Sequence, residues 1–156
     1  MSKLGDLLGK EYEDHRISIL TRTFKFGDAT LKVQVPSVAK IESIYNEFKS
    51  PNADAVEKIY QELTANLKTF DGDVVTKTDN DVLVNDRSMR EAAKNTYLTQ
   101  FRILEYFKFL IPQEGQDVNT LTYADIDAEI PLAIQLQIVD KINEVISPDY
   151  QDIKSK

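Results

Sequence analysis

The stretch Ser88–Ile111 constrains this chain more than any other. It opens on Ser88-Met89-Arg90-Glu91, a capping-box sequence in which the Ser88 hydroxyl accepts from the Glu91 N–H and the Glu91 carboxylate reaches back to the Ser88 N–H. It closes at Ile111-Pro112, because proline disfavours a helical conformation in the residue before it and has no N–H to continue the ladder. At 100° per residue, Met89, Ala92, Ala93, Tyr97, Phe101, Ile103, Leu104, Phe107, Leu110 and Ile111 fall on one half of the predicted cylinder. The other half still carries Leu98 and Phe109 nearly in line, with Tyr106 beside them. A surface helix needs a narrower apolar stripe than this, so a central helix with more than one neighbour is expected.

A chain of 156 residues is long enough for one ordinary domain with its own core, and none of its residues is cysteine. A disulfide framework, a thiolate zinc site and a thiol nucleophile are thereby excluded. Met1–Lys10 lacks the apolar run and cleavage site of a signal peptide, and no apolar run approaches bilayer length. The expectation is a soluble protein that stays where it is made and has no membrane partner. Residues 1–50 hold 8 Lys/Arg against 7 Asp/Glu, whereas residues 51–156 hold 11 against 19. A net charge of −7 argues against binding nucleic acid through its phosphates. Between Pro112 and Ile153 nine acids (Glu114, Asp117, Asp125, Asp127, Glu129, Asp140, Glu144, Asp149 and Asp152) face the single base Lys141. That run reads either as a solvated acidic face or as a docking surface for a basic partner segment.

Residues 1–16 read as a weak N-terminal helix or arm, with Leu4, Leu8 and Tyr12 on one face and two glycines against it. Residues 17–35 carry a β-hairpin. Gly27-Asp28 suits a two-residue type II′ turn, and pairing outward sets Phe26 against Ala29, Phe24 against Leu31, Arg22 against Val33 and Leu20 against Val35. Arg22 is the exception on that apolar face and is expected at its rim. Residues 37–70 hold a helix pair. Ser37 caps a helix with Val38, Ile41, Ile44, Tyr45 and Phe48 inward, and Asn52 caps a second with Val56, Ile59, Tyr60, Leu63 and Leu67 inward, ending near Phe70. Residues 71–86 read as a loop or a second hairpin around Asp79-Asn80-Asp81. Thr122-Tyr123-Ala124-Asp125 caps a short helix through Ile130, Pro131 sits at the first turn of a last helix ending near Ile146, and 148–156 form a charged, frayed tail. The fold class expected is α+β, mainly α, with the N-terminal hairpin packed on a helical bundle in a single domain.

Catalytic chemistry is not legible. His15 is the only histidine and lies in the polar run Glu13-Asp14-His15-Arg16, so it reads as a solvated linker residue. Asp71-Gly72-Asp73 and Asp79-Asn80-Asp81 lack the ligand spacing of a calcium loop and read as turn chemistry. With five glycines and no glycine-rich phosphate loop, nucleotide binding by such a motif is not expected. The expectation is a protein that is not an enzyme and needs no cofactor or metal. What remains is surplus apolar surface on the helices 88–111 and 131–146, with Leu98, Tyr106 and Phe109 as a protein-binding or self-association surface. The alternative is that these helices are simply central in the bundle.

The order of features resembles the tail assembly chaperones of long-tailed, lambda-like bacteriophages and prophages. The likeness is carried by the leader Leu7-Leu8-Gly9-Lys10, the hairpin leading into Pro36-Ser37-Val38, and the run Thr78-Asp79-Asn80-Asp81-Val82-Leu83-Val84. It continues through Ser88-Met89-Arg90-Glu91-Ala92-Ala93 and Leu121-Thr122-Tyr123-Ala124-Asp125-Ile126 to the closing amphipathic helix. The resemblance implies a non-enzymatic protein of the infected cell's cytoplasm, absent from the finished virion. Its partners would be the tape measure protein, whose long aggregation-prone helix it coats, and the tail tube subunits it helps recruit. Many such chaperones also occur in a longer, frameshifted form, and the family has no catalytic or ligand residues to carry over. A rival role is a structural virion protein of the tail or neck, assembled as a ring through the same apolar faces.

Overall fold

The structure, a computed structural model, describes residues 2–67 and 72–147. In chain order they form α1 (Lys3–Leu8), α2 (Lys10–Leu20), β1 (Thr21–Phe26), β2 (Ala29–Gln34), α3 (Val38–Lys49), α4 (Ala53–Thr64), β3 (Val75–Lys77), β4 (Val82–Val84), β5 (Arg87–Ser88), α5 (Met89–Phe107), α6 (Tyr123–Glu129) and α7 (Leu132–Ile146). The class is α+β and mainly α. Where the sequence suggests one domain, the contacts divide the chain into two compact units, Met1–Lys40 with Ile103–Lys156, and Ile41–Arg102.

In the first unit, the hairpin forms from its turn outward. Gly27 has φ 60°, the positive value that the first central residue of a type II′ turn requires and that glycine tolerates best. The strands pair antiparallel with Phe26 opposite Ala29, Phe24 opposite Leu31 and Arg22 opposite Val33, the register expected. Val33 is fully buried, Phe24 and Leu31 are half-buried, and Arg22 is exposed. Residues 17–20, expected as strand, belong to α2 instead. The Thr21 hydroxyl donates to Ile17 O (2.7 Å) and the Arg22 guanidinium to Ile19 O (2.7 Å), satisfying carbonyls that the helix end leaves open. Leu20 still accepts from the Val35 N–H at 2.7 Å.

The predicted helix 88–111 stops at Phe107. Phe109 and Leu110 tighten into three-residue turns, each N–H donating at 3.0 Å to Tyr106 O and Phe107 O respectively. The chain then runs along the free side of β2. Gln34 N–H donates to Phe109 O and Ile111 N–H to Lys32 O, both at 2.8 Å, with Val33 paired to Leu110. Pro112 keeps Ile111 out of the helical region, and an unpaired strand edge offers the backbone groups it needs. The hairpin is therefore a three-stranded patch with β2 in the middle, covered by α7 through the buried Ile138, Val139 and Ile142.

The approach to α7 follows local chemistry closely. Thr122 and Asp125 form the capping box read from the sequence: Asp125 N–H donates to the Thr122 hydroxyl, and Thr122 N–H to Asp125 Oδ2 at 2.9 Å. These bonds from the Thr122 backbone and hydroxyl hold the Asp125 carboxyl below its usual range. Pro131 is the cap residue of α7, one position before the first turn. Gln135, fully buried, donates to Ile130 O (2.7 Å) and accepts from the Tyr123 hydroxyl (2.9 Å), which ties α6 to α7. Burial, with the charge of Asp127, pushes the Tyr123 phenol up against the opposing effect of that bond.

In the second unit, α5 carries the aromatic contacts. Phe101 meets Phe48 of α3 edge-on (6.0 Å between centroids) and stacks on Tyr97, whose hydroxyl donates to Glu47 at 2.5 Å. Ile44 is buried on α3 while Tyr45, expected inward, is exposed. Val38 at the start of that helix, expected inward, is exposed as well. Asn52 caps α4 as expected, accepting from Ala55 N–H at 3.0 Å. On α4, Leu63 is exposed and Thr64 is buried in its place, its hydroxyl returned to Tyr60 O at 2.8 Å. α4, expected to run to near Phe70, ends at Thr64, and the Leu67 N–H closes a tighter turn on Thr64 O at 2.9 Å; the expected tail after Pro148 lies outside the described residues.

Residues 75–84 form the second hairpin, one of the two readings of residues 71–86, and Arg87–Ser88 add a third strand that the pattern did not announce. Asn85 (φ 51°) and Asp86 (φ 65°) make a two-residue turn of the I′ kind, the conformation Asn and Asp best tolerate after glycine, and place Val84 opposite Arg87. This delivers Asp81 to the start of α5. Ser88 accepts from Glu91 N–H (3.1 Å) as expected, but the cap is completed by Asp81 rather than by Glu91. Asp81 takes the Ser88 hydroxyl (2.5 Å) on one oxygen and the N–H groups of Val82 (2.7 Å) and Arg90 (3.1 Å) on the other. The Arg90 side chain donates to Asn80 O, pairs with Glu57 (2.7 Å) and lies 3.9 Å over the Tyr60 ring, so that α4, α5 and the β3–β4 turn share one cation.

Partial burial opposes the charge on Asp81, but the bonds from Ser88, Val82 and Arg90 and the Arg90 charge outweigh it and hold the carboxyl below its usual range. Its contribution is therefore complete above the ordinary aspartate pKa and is lost as pH falls through the depressed one. Asp81→Ala should lower stability at neutral pH by about 1–2 kcal/mol, the worth of a helix cap. Urea midpoints measured from neutral to acid pH should converge for the two proteins.

Candidate protein-binding surface

The N-terminal helices hold together by a contact of their own. Ser2 caps α1 by accepting from Gly5 N–H (3.0 Å), and its hydroxyl donates to Glu13 Oε2 on α2 (2.8 Å). Glu13 Oε1 accepts from Arg16 at 2.6 Å. Glu13 is buried, and its carboxyl is lowered to about 2 by the hydrogen bond from Arg16, then by that from Ser2, against the cost of burial. Gly5 makes this possible, since a methyl group there would land on Glu13 Oε2. Gly9, at φ 95°, breaks the chain between the two helices.

That break decides which side chains share a face. Leu4 and Leu8 were expected to line up with Tyr12, but Tyr12 belongs to another helix. Instead Leu4, Leu7 and Leu8 form a stripe within about 100° of arc, and they are 53%, 71% and 61% exposed. On α2, Ile17 and Ile19 are exposed as well, and Gly5 and Glu13 are the only buried residues of the two helices. The arm thus buries a polar contact and presents its hydrophobic side chains outward. Each leucine left in water forgoes roughly 1.5–3 kcal/mol of burial. Beside the stripe's second helix, Arg16, Ile17, Leu20, Thr21, Gln34 and Ile111 line a groove of about 250 Å³.

The residues singled out from the sequence do not make this surface. Tyr106 and Phe109 are 8% and 7% exposed. Their rings pack at 5.6 Å, and the Tyr106 hydroxyl lies 3.4 Å from Asn143 of α7. Leu98 is half-buried and belongs to the other compact unit. The helical alignment that grouped Leu98 with Phe109 fails because α5 ends before Phe109. No large apolar residue of α5 is exposed, whereas Leu132 and Leu136 of α7 are. The signal that would have found the stripe is the i, i+3, i+4 spacing of Leu4, Leu7 and Leu8 taken with Gly9 as a stop.

His15 is exposed on α2. Among the described residues no group of three or more His, Cys, Asp or Glu side chains gathers where it could hold a metal ion, and Asp81 of the Asp79-Asn80-Asp81 run is engaged in capping α5. No described helix is long and apolar enough to cross a membrane. Comparison with known protein families, with curated protein sequences and with solved structures finds no match.

Because the Glu13 carboxyl is depressed from 4.5 to about 2, the arm's internal contact is in force above pH 4.5 and is lost between 4.5 and about 2. Gly5→Ala should raise the Glu13 pKa toward the ordinary value by displacing the carboxylate from Ser2. Side-chain carboxyl shifts of Glu13 followed by NMR against pH would register that change.

Proposed function

We propose that this protein is a non-enzymatic tail assembly chaperone of a long-tailed bacteriophage or prophage, which binds the tape measure protein and helps recruit tail tube subunits. Two things support the reading: the resemblance in the order of sequence features, and the apolar stripe of the N-terminal arm. The stripe carries most of the weight. Leu4, Leu7 and Leu8 stand in water on a helix whose inward side is a polar staple, which suits a partner polypeptide better than it suits an isolated chain. A chaperone for a long amphipathic helix needs such a surface, because helix recognition in proteins works by burying apolar residues at helical spacing in a complementary face. On this reading the protein works in the cytoplasm of the infected host and leaves before the virion is complete.

Co-expression with a phage tape measure protein should keep that protein soluble. Leu7→Asp with Leu8→Asp should abolish the effect while leaving the thermal melt of this chain unchanged. Phe109→Asp should instead unfold it, at a cost of at least about 3 kcal/mol for a buried aromatic replaced by a charge. Rescue undiminished by the Leu7/Leu8 pair, or recovery of the chain from purified particles as a ring component, would remove the proposal.

A further inference from the structure

We infer that the outer flank of α7 is a docking ridge for a basic amphipathic helix of a partner polypeptide. Leu132 and Leu136 lie about 40° apart around the helix, are 50% and 37% exposed, and stand outside the buried stripe of Gln135, Ile138, Val139 and Ile142. The same four-residue step continues into Asp140 and Glu144, both exposed, and Glu129 at the end of α6 precedes Leu132 by three residues and is exposed too. The result is an apolar centre with carboxylates beyond each end. From Leu132 to Glu144 it runs about 18 Å, the length of a little over three helical turns. Lys141, the single base on α6 and α7, stands about 140° around the helix from Leu136. Glu129, Asp140 and Glu144 form no ion pair among the described residues.

Although Lys141 lies about 60° around the helix from Glu144, acids outnumber bases on this flank, and that excess identifies the occupant. A second copy presenting the same ridge would set carboxylate against carboxylate, and nucleic acid would be repelled as well. A helix with leucine-like residues at i and i+4 and Lys or Arg beyond them would bury both leucines while each end met an opposite charge. The ridge rests on the chaperone reading only in that its partner is a polypeptide.

The test titrates the full chain into a fluorescein-labelled helical peptide with leucines at i and i+4 and lysines on either side. A matching peptide with glutamates in place of the lysines serves as control, and binding is read by anisotropy. The lysine peptide should bind, more weakly as salt rises, and roughly tenfold more weakly to Asp140→Lys with Glu144→Lys, as two exposed charge pairs allow. Amide shifts on the unmutated chain should move along residues 129–144. Equal binding of the glutamate peptide, no binding of the lysine peptide, unchanged affinity in the double variant, or shifts confined elsewhere would each overturn the ridge. Failure of the ridge alone would leave the Leu7/Leu8-dependent rescue in co-expression intact. Failure of the chaperone reading alone would abolish that rescue and spare the peptide binding.

Discussion

The first unit depends on β2 being hydrogen-bonded along both sides. A two-stranded hairpin is marginal by itself, and the bonds from Gln34 N–H to Phe109 O and from Ile111 N–H to Lys32 O turn it into a three-stranded patch. That pairing takes Phe109 and Leu110 out of α5 and settles Phe109 against Tyr106 in the interior. It also sets Val33 under α7, where it is fully buried beside Ile138, Val139 and Ile142. The packing of the unit follows from a few backbone groups that would otherwise face one another's absence in a poorly solvated place.

The second unit uses a charged group for the same purpose. Asp81 accepts the Arg90 N–H in the first turn of α5 from outside the helix, and the Arg90 side chain gathers Glu57, the Tyr60 ring and Asn80 O around it. The Arg90 and Glu57 side chains are 41% and 46% exposed, so their ion pair adds little by itself, and the weight of the arrangement lies in the hydrogen bonds that Asp81 accepts at the start of α5. The turn that brings Asp81 there needs two successive residues at positive φ, and Asn85-Asp86 meets that need without glycine.

Exposed apolar side chains gather most densely on the N-terminal arm, and a further pair, Leu132 and Leu136, stands on one flank of α7. The arm is stapled by Ser2, Glu13 and Arg16, polar groups that hold its shape without consuming its leucines. The α7 flank places its leucines between carboxylates that form no ion pair among the described residues. The arm carries exposed charges of both signs, Lys3, Asp6, Lys10 and Glu11, whereas the α7 flank is dominated by carboxylates, so a partner that met both would be oriented by charge chiefly at the second.

Local signals in the chain determined a good deal: the hairpin register from Gly27-Asp28 outward, the Thr122/Asp125 box, the caps at Ser37, Asn52 and Ser88, and the predominance of helix. Each is a matter of neighbouring residues, whose geometry is set by turn and cap chemistry within a few positions. The surface was not legible in this way, because helical periodicity shows which side chains share a face but not which face meets another element. Tertiary structure alone decided that Phe109 leaves its helix for the edge of β2, that the large apolar residues of α5 are covered, and that Leu4, Leu7 and Leu8 are not. The physical reason is that burial is settled between segments distant in sequence, by which backbone edges and apolar faces find each other first.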